Sequence, residues 1–357
     1  MFQKKCVIFT LEQWGHLSLC ISLAKQLRLQ KIDIEFGFYV PPLKTTLQEL
    51  EKQDFKVHYN TNLLGAIINR KDDSDYFLQA FLNTIRLIEQ MNPDFIICDS
   101  VPIAIMAARY LNISIYTIKR TNPNLFNEKF KMNSIKIINH ICFSKNEWLN
   151  DSFNEISISD LALVPHPESF LPIDGKKVKY FKPSFYEKLE KDNMILDDKI
   201  IDILFVLTTS HDKSSLMHYI IQHIDNIGSM LNVVILNPFH HISCDNILSN
   251  VTIMRWANIT KILKNTRMVI STGGHGICIR SIQELLPHII IDIEEKYSSI
   301  YGSAVEKNGI GLFVKQNEKE IFSSIKNISD NYSIYKANCG KLEYCIKKCP
   351  TINKLIL

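Results

Sequence analysis

The chain has 357 residues, 46% of them hydrophobic and 22% charged, with a formal net charge of +4 at neutral pH. That length suits two domains with a core each, and the balance is that of an ordinary globular protein. The mild charge, with no basic stripe interleaved with aromatics, argues against a nucleic-acid partner, and no apolar run nears the ~18 residues of a bilayer span.

Lys5–Thr10 reads as a buried strand. It follows the N-terminus without the apolar core and cleavage site of a signal peptide, so a cytoplasmic location is expected. Nine scattered cysteines, an odd number, fit thiols kept reduced there. Leu17–Leu29 forms an amphipathic helix just after Trp14-Gly15-His16, and Ile32–Tyr39 a second strand. Pro41–Gln53 looks helical, Phe55–His58 extended. Asp73–Gln90 carries Phe77, Phe81, Ile85 and Ile88 at helical spacing. Phe95–Cys98 is an apolar run ending at Asp99, followed by a helix over Val101–Leu111 and a strand over Ile113–Ile118. Strands alternating with helices imply right-handed βαβ units and a parallel sheet covered on both faces.

Residues Phe126–Leu149 mix Phe, Ile and Trp with several lysines, the pattern of a helix with a solvated face or of a basic amphipathic element on anionic lipid. Prolines at 165, 167, 172 and 183, with Gly175, mark a link between domains. A second βα series then begins. Ile201–Leu207 is a strand running into Thr208-Thr209-Ser210-His211, and Lys213–Ile227 is helical. Asn232–Leu236 and Val251–Met254 are strands, Ile259–Lys264 a short helix, and Ile289–Ile293 and Leu312–Val314 further strands. From Glu318 the chain is mostly helical. The boundaries expected are 1–165 and 191–334 for two doubly wound, Rossmann-like α/β domains, 166–190 for the linker, and 335–357 for a tail that packs back on the first domain.

The most informative stretch is Met268-Val-Ile-Ser-Thr272-Gly273-Gly274-His275-Gly276. A short apolar strand stops at a glycine-rich turn, and an apolar-periodic helix follows from Ile277 to Leu286, closed by Pro287. Amides at a helix start have no intrahelical partner and the helix dipole is positive there, so the turn suits a diphosphate. Glycine lets the backbone approach an anion closely and adopt positive φ. The spacing is not the Gly-X-Gly-X-X-Gly of dinucleotide-dependent oxidoreductases.

The order Arg255-Trp256, a short helix, the glycine turn, Pro287 and Gly309-Ile-Gly311 resembles the donor half of GT-B glycosyltransferases. The nearest look-alikes are inverting, nucleotide-sugar-dependent enzymes acting on natural products, and the lipid II-forming transferase of cell-wall synthesis. Trp14-Gly15-His16-Leu and the following helix look like the superfamily's Gly-His loop. Pro93-Asp-Phe-Ile-Ile-Cys-Asp99-Ser looks like its aspartate-bearing strand. The resemblance implies two Rossmann-like domains around an interdomain cleft, a nucleoside-diphosphate sugar as donor, and a small-molecule or lipid-linked acceptor. It implies no cofactor and no metal. His16 would be the base that takes a proton from the acceptor hydroxyl, with Asp99 fixing its tautomer and stabilising the imidazolium. Both residues fall just past the ends of parallel strands, where open α/β sheets gather ligand-binding groups. By the same resemblance Thr209 and Ser210 bond the donor diphosphate, Arg255 belongs to the donor-binding set, Trp256 lies by the base, and Thr272–Gly276 hold the phosphates.

Three departures from the family pattern stand out. Arg280 stands where a glutamate usually accepts bonds from the ribose; arginine only donates, so it is expected to reach a phosphate instead. An acidic–Gln pair that reads the sugar is expected near 296–298, where this chain has Lys-Tyr-Ser, with Glu294 and Glu295 just upstream. Leu285 replaces a customary glycine, and Ile277 a hydroxyl residue. The alternatives are a nucleotide-sugar hydrolase or epimerase on the same scaffold, and an inactive relative kept as a binding partner.

Overall fold

The computed structural model describes residues 4–59, 73–121, 159–187, 200–207, 231–236, 250–254, 257–294 and 296–356. They divide into two units. The first holds Met1–Pro165, Pro172–Tyr186 and Pro350–Leu357; the second holds His166–Leu171 and Glu187–Cys349.

In the first unit the elements run β1 (Lys4–Thr10), α1 (Trp14–Arg28), β2 (Ile32–Phe38), α2 (Lys44–Glu51), β3 (Lys56–Tyr59), α3 (Asp73–Met91), β4 (Phe95–Asp99), α4 (Pro102–Tyr110), β5 (Ser114–Ile118), β6 (Leu161–Val164) and β7 (Val178–Tyr180). All seven strands are parallel, in the order β3-β2-β1-β4-β5-β6-β7. Alternate residues of β1 serve opposite faces. Val7 and Phe9 join Phe81 and Ile88 of α3 and Ala104 of α4, while Cys6 and Ile8 join Leu19 and Leu23 of α1. A strand buried on both faces must be apolar throughout, which is why these runs lack the polar alternation of a half-exposed strand.

The second unit contains β8 (Ile201–Val206), β9 (Val233–Leu236), β10 (Val251–Met254), α5 (Ile259–Lys264), β11 (Thr266–Ser271), α6 (His275–Gln283), β12 (His288–Asp292), α7 (Lys296–Lys307), β13 (Gly311–Lys315), α8 (Glu318–Asp330) and α9 (Tyr332–Lys348). Its six strands are again parallel, ordered β10-β9-β8-β11-β12-β13. Asn258 caps α5 and Asn317 caps α8, each side-chain oxygen accepting an amide of the first turn. The last short helix, α10 (Asn353–Ile356), belongs to the first unit.

In both sheets the strand order reverses once, between β1 and β4 in the first and between β8 and β11 in the second. A crevice opens at the carboxyl ends of strands at such a point, because the flanking connections leave to opposite faces.

Several details differ from the sequence reading. Helix α1 starts at Trp14, so Gly15 and His16 lie in its first turn and not in a preceding loop. The stretch 166–190, expected as one linker, contains β7, which pairs with β6. His166–Leu171 goes with the second unit and Pro172–Tyr186 with the first. Three short residues of strand, too few for a periodicity, explain why β7 has no local signature. Helix α9 stays in the second unit, and the first unit takes back only Pro350–Leu357. The expected helices over 126–149 and 213–227 lie outside the described residues. Among the described residues, all seven cysteines are free thiols, and no helix is long and apolar enough to cross a membrane.

Candidate functional site

The switch point of the first sheet brings His16 and Asp99 together. Thr10 and Asp99 are register partners at the ends of β1 and β4, and His16 is the third residue of the helix that follows β1. His16 Nδ1 lies 3.1 Å from Asp99 Oδ1. Asp99 is fully buried, and the His16 side chain is 24% exposed, so the imidazole is partly open to solvent while its Nδ1 meets a buried carboxylate. The neighbouring Ser100 has φ +61°, a left-handed conformation for a non-glycine residue, and its hydroxyl donates to Asp99 Oδ1 at 3.3 Å. Backbone strain of this kind persists only where surrounding contacts dictate it, and it gathers at functional sites.

A third residue, absent from the sequence reading, completes this cluster. Arg120, just past β5, donates from Nη2 to Asp99 Oδ2 at 2.6 Å and from Nη1 to Oδ1. Its Nη1 is also 2.9 Å from His16 Nδ1. Burial by itself raises the Asp99 pKa, but the Arg120 guanidinium, followed by His16, outweighs it and holds the carboxyl well below the usual carboxylate range. Cys20, also fully buried, approaches Asp99 Oδ2 at 3.5 Å; burial, then the Asp99 charge, push its thiol pKa well up, so it stays protonated. The signal for Arg120 was available. It follows a strand adjacent to β4, at the same end of the sheet as Asp99.

In the second unit the glycine turn follows β11, at that sheet's switch point. Gly273 has φ +85°, and a Cβ there would meet Ile290 Cγ2 and Ser298 Cα, each at 3.1 Å. Glycine is thus required by backbone conformation and by the closeness of β12 and α7. The Gly273 amide donates to Ser271 Oγ at 3.1 Å, and that hydroxyl contacts His288 Nε2 at 2.8 Å. So Gly273 spends its N–H inside the protein and shapes the turn. Gly274 is the N-cap of α6, with no side-chain cap bond. The first intrahelical bond runs from the Cys278 amide to Gly274 O at 3.1 Å. The amides of His275, Gly276 and Ile277 therefore precede the helix's own hydrogen-bond ladder, the arrangement that favours an anion.

The remaining predicted residues are placed as follows. Thr272, just past β11, is buried. The His275 ring is buried too, with its centroid 5.6 Å from that of His166 and 6.1 Å from that of Tyr301, so what it offers the turn is backbone. The expectation that Arg280 reaches a phosphate meets a different arrangement. Its side chain is buried and bonded to Glu187 Oε1, which also accepts from Thr260 Oγ1 at 2.8 Å. Burial lowers the Arg280 pKa and Glu187 opposes that, so a cation at this depth requires its carboxylate. Glu294 is exposed in a tight turn with φ +59°, its amide on Asp292 Oδ1 at 2.9 Å. Thr209, Ser210, Arg255, Trp256 and Glu295 lie outside the described residues.

No family model matches the chain, and no curated protein sequence does. Solved structures do. CalG4, the calicheamicin glycosyltransferase, superposes with a TM-score of 0.74 at 12% identity, over 99% of this chain and 97% of that one. The spinosyn rhamnosyltransferase SpnG gives 0.72 at 14% identity over 99% and 98%. The glycosyltransferase SnogD from Streptomyces nogalater gives 0.73 at 11% over 99% and 97%. SpnG complexed with thymidine diphosphate and SpnG complexed with spinosyn aglycone match as well, with TM-scores of 0.73 and 0.71. At such identities the likeness is one of fold: the chain has the GT-B architecture of two Rossmann-like parallel-sheet domains.

Proposed function

We propose that this GT-B chain is an inverting glycosyltransferase that moves a sugar from a nucleoside-diphosphate sugar to an acceptor hydroxyl. The observation that carries the proposal is the His16–Asp99 pair at the first sheet's switch point, a part-exposed imidazole backed by a buried anion. In the proposed reaction His16 Nε2 takes the hydroxyl proton as the acceptor oxygen attacks the anomeric carbon. Asp99 stabilises the imidazolium through Nδ1. The bond from the anomeric carbon to the diphosphate breaks on the opposite side, so configuration inverts. The amides at the start of α6 and the helix dipole receive the charge of the departing diphosphate, without calling on a metal. Thymidine diphosphate and a natural-product aglycone are the first ligands to try, since the fold neighbour SpnG is complexed with thymidine diphosphate and with spinosyn aglycone.

The test separates chemistry from binding. His16→Ala should lower turnover of a thymidine- or uridine-diphosphate sugar by about 10²–10⁴-fold, the usual worth of a general base, while calorimetry finds nucleoside-diphosphate affinity unchanged. Equal turnover in the variant would remove His16 from the mechanism.

A further inference from the structure

The Nδ1 atom of His16 has two neighbours that ask opposite things of it. Asp99 Oδ1, at 3.1 Å, only accepts and would take a hydrogen from Nδ1. Arg120 Nη1, at 2.9 Å, only donates and needs a lone pair there. Arginine does not lose its proton in a protein, so Nη1 and an Nδ1–H compete for the same oxygen, Asp99 Oδ1. Where Nη1 wins that oxygen and also donates to Nδ1, the nitrogen carries its lone pair toward Arg120 and the proton of the neutral ring sits on Nε2. That tautomer cannot act as the proposed base, because Nε2, the nitrogen away from Asp99, has no lone pair to offer a hydroxyl. The competent tautomer needs Nδ1–H on Asp99.

We infer that Arg120 is a positioning residue that sets the tautomer of His16, holding the ring in its Nε2–H form until Nη1 withdraws and leaves Nδ1 to Asp99. The inference rests on the reading of His16 as the base. Withdrawal of Nη1 also gives up its bond to Asp99 Oδ1, the oxygen that faces Nδ1, but Nη2 still holds Oδ2 at 2.6 Å, so the buried carboxylate keeps its counter-charge while Nδ1–H takes the freed oxygen. Lysine, a point charge without a planar fork, supplies the charge but not the second, competing donor in the same place.

The experiment is long-range ¹H–¹⁵N spectroscopy of the full chain labelled with ¹⁵N-histidine, at about pH 8.5 where ordinary histidines are neutral. The His16 signals are assigned by their loss in His16→Asn. The two ring nitrogens have distinct shifts, so the tautomer is read directly. Wild type should show the Nε2–H form, and Arg120→Lys a shift to predominantly Nδ1–H. If Arg120→Lys does not fold, Arg120→Met serves the same comparison, since a thioether of similar length brings no donor to Nδ1. A wild-type ring already in the Nδ1–H form, or a tautomer indifferent to residue 120, overturns the inference. Turnover of His16→Ala is measured separately. Full turnover there defeats the base reading whatever the tautomer, whereas a wrong tautomer with turnover still dependent on His16 defeats only the role of Arg120.

Discussion

His288 is a buried imidazole whose work is done through Ser271. It sits at 1% exposure in β12, and burial pulls its pKa down to about 3. An unfolded histidine titrates near 6.5, so between about pH 6.5 and 3 the unfolded chain binds the extra proton and the folded one does not. Stability is therefore complete above pH 6.5 and is lost as the pH falls, with a limiting slope of about 1.4 kcal/mol per unit. Urea unfolding at several pH values should show this slope in the transition of the second unit. His288→Gln should flatten the slope while lowering stability at neutral pH. An identical acid dependence in the variant would mean that other groups carry it. Because Ser271 links His288 to the Gly273 amide, the same protonation is expected to loosen the glycine turn before the unit unfolds.

The end of α6 explains one of the departures noted in the sequence. The Leu286 amide bonds to Ser281 O at 2.8 Å, and the Leu285 amide to Ile282 O at 3.1 Å. This pair of bonds is the Schellman arrangement, which needs a left-handed residue just past the cap. Here that residue is Leu285, with φ +60°. A side chain in this conformation costs roughly 1–2 kcal/mol, which glycine avoids. Leu285 is not part of the buried core, so little packing is forfeited by removing it. Leu285→Gly is expected to stabilise the second unit by about 1 kcal/mol and to raise its melting temperature by a few degrees. A lower melting temperature would show that the leucine side chain contributes more than its backbone costs. The helix start and the helix end thus follow different economies: Gly273 is kept where a Cβ has no room, and Leu285 is accepted where only backbone strain opposes it.

For the molecule as a whole, the path of the chain matters as much as its two sheets. Pro350–Leu357 returns to the first unit, where Pro350 O accepts the Lys182 amide at 2.9 Å and Ile352 is fully buried in the core under α1. Ending the chain at Cys349 removes that side chain and leaves a cavity. The first unit should lose about 2–5 kcal/mol, the usual range for deleting a buried isoleucine, while the transition of the second unit stays in place. Calorimetry of the truncated chain against the full one checks this, and an unshifted first-unit transition would refute it. The two βα series, the strand ends where ligand-binding residues gather, and the glycine turn with its following helix are legible from local periodicity and from strand, turn and helix signals that act within a few residues. The grip of Arg120 on Asp99, the hold of Glu187 on Arg280, the pairing of β7 with β6 and the burial of Ile352 in the first core emerge on folding. Each of those joins residues distant in sequence, and their partners follow from strand order and from the need of a buried charge or amide for company, which no local pattern encodes.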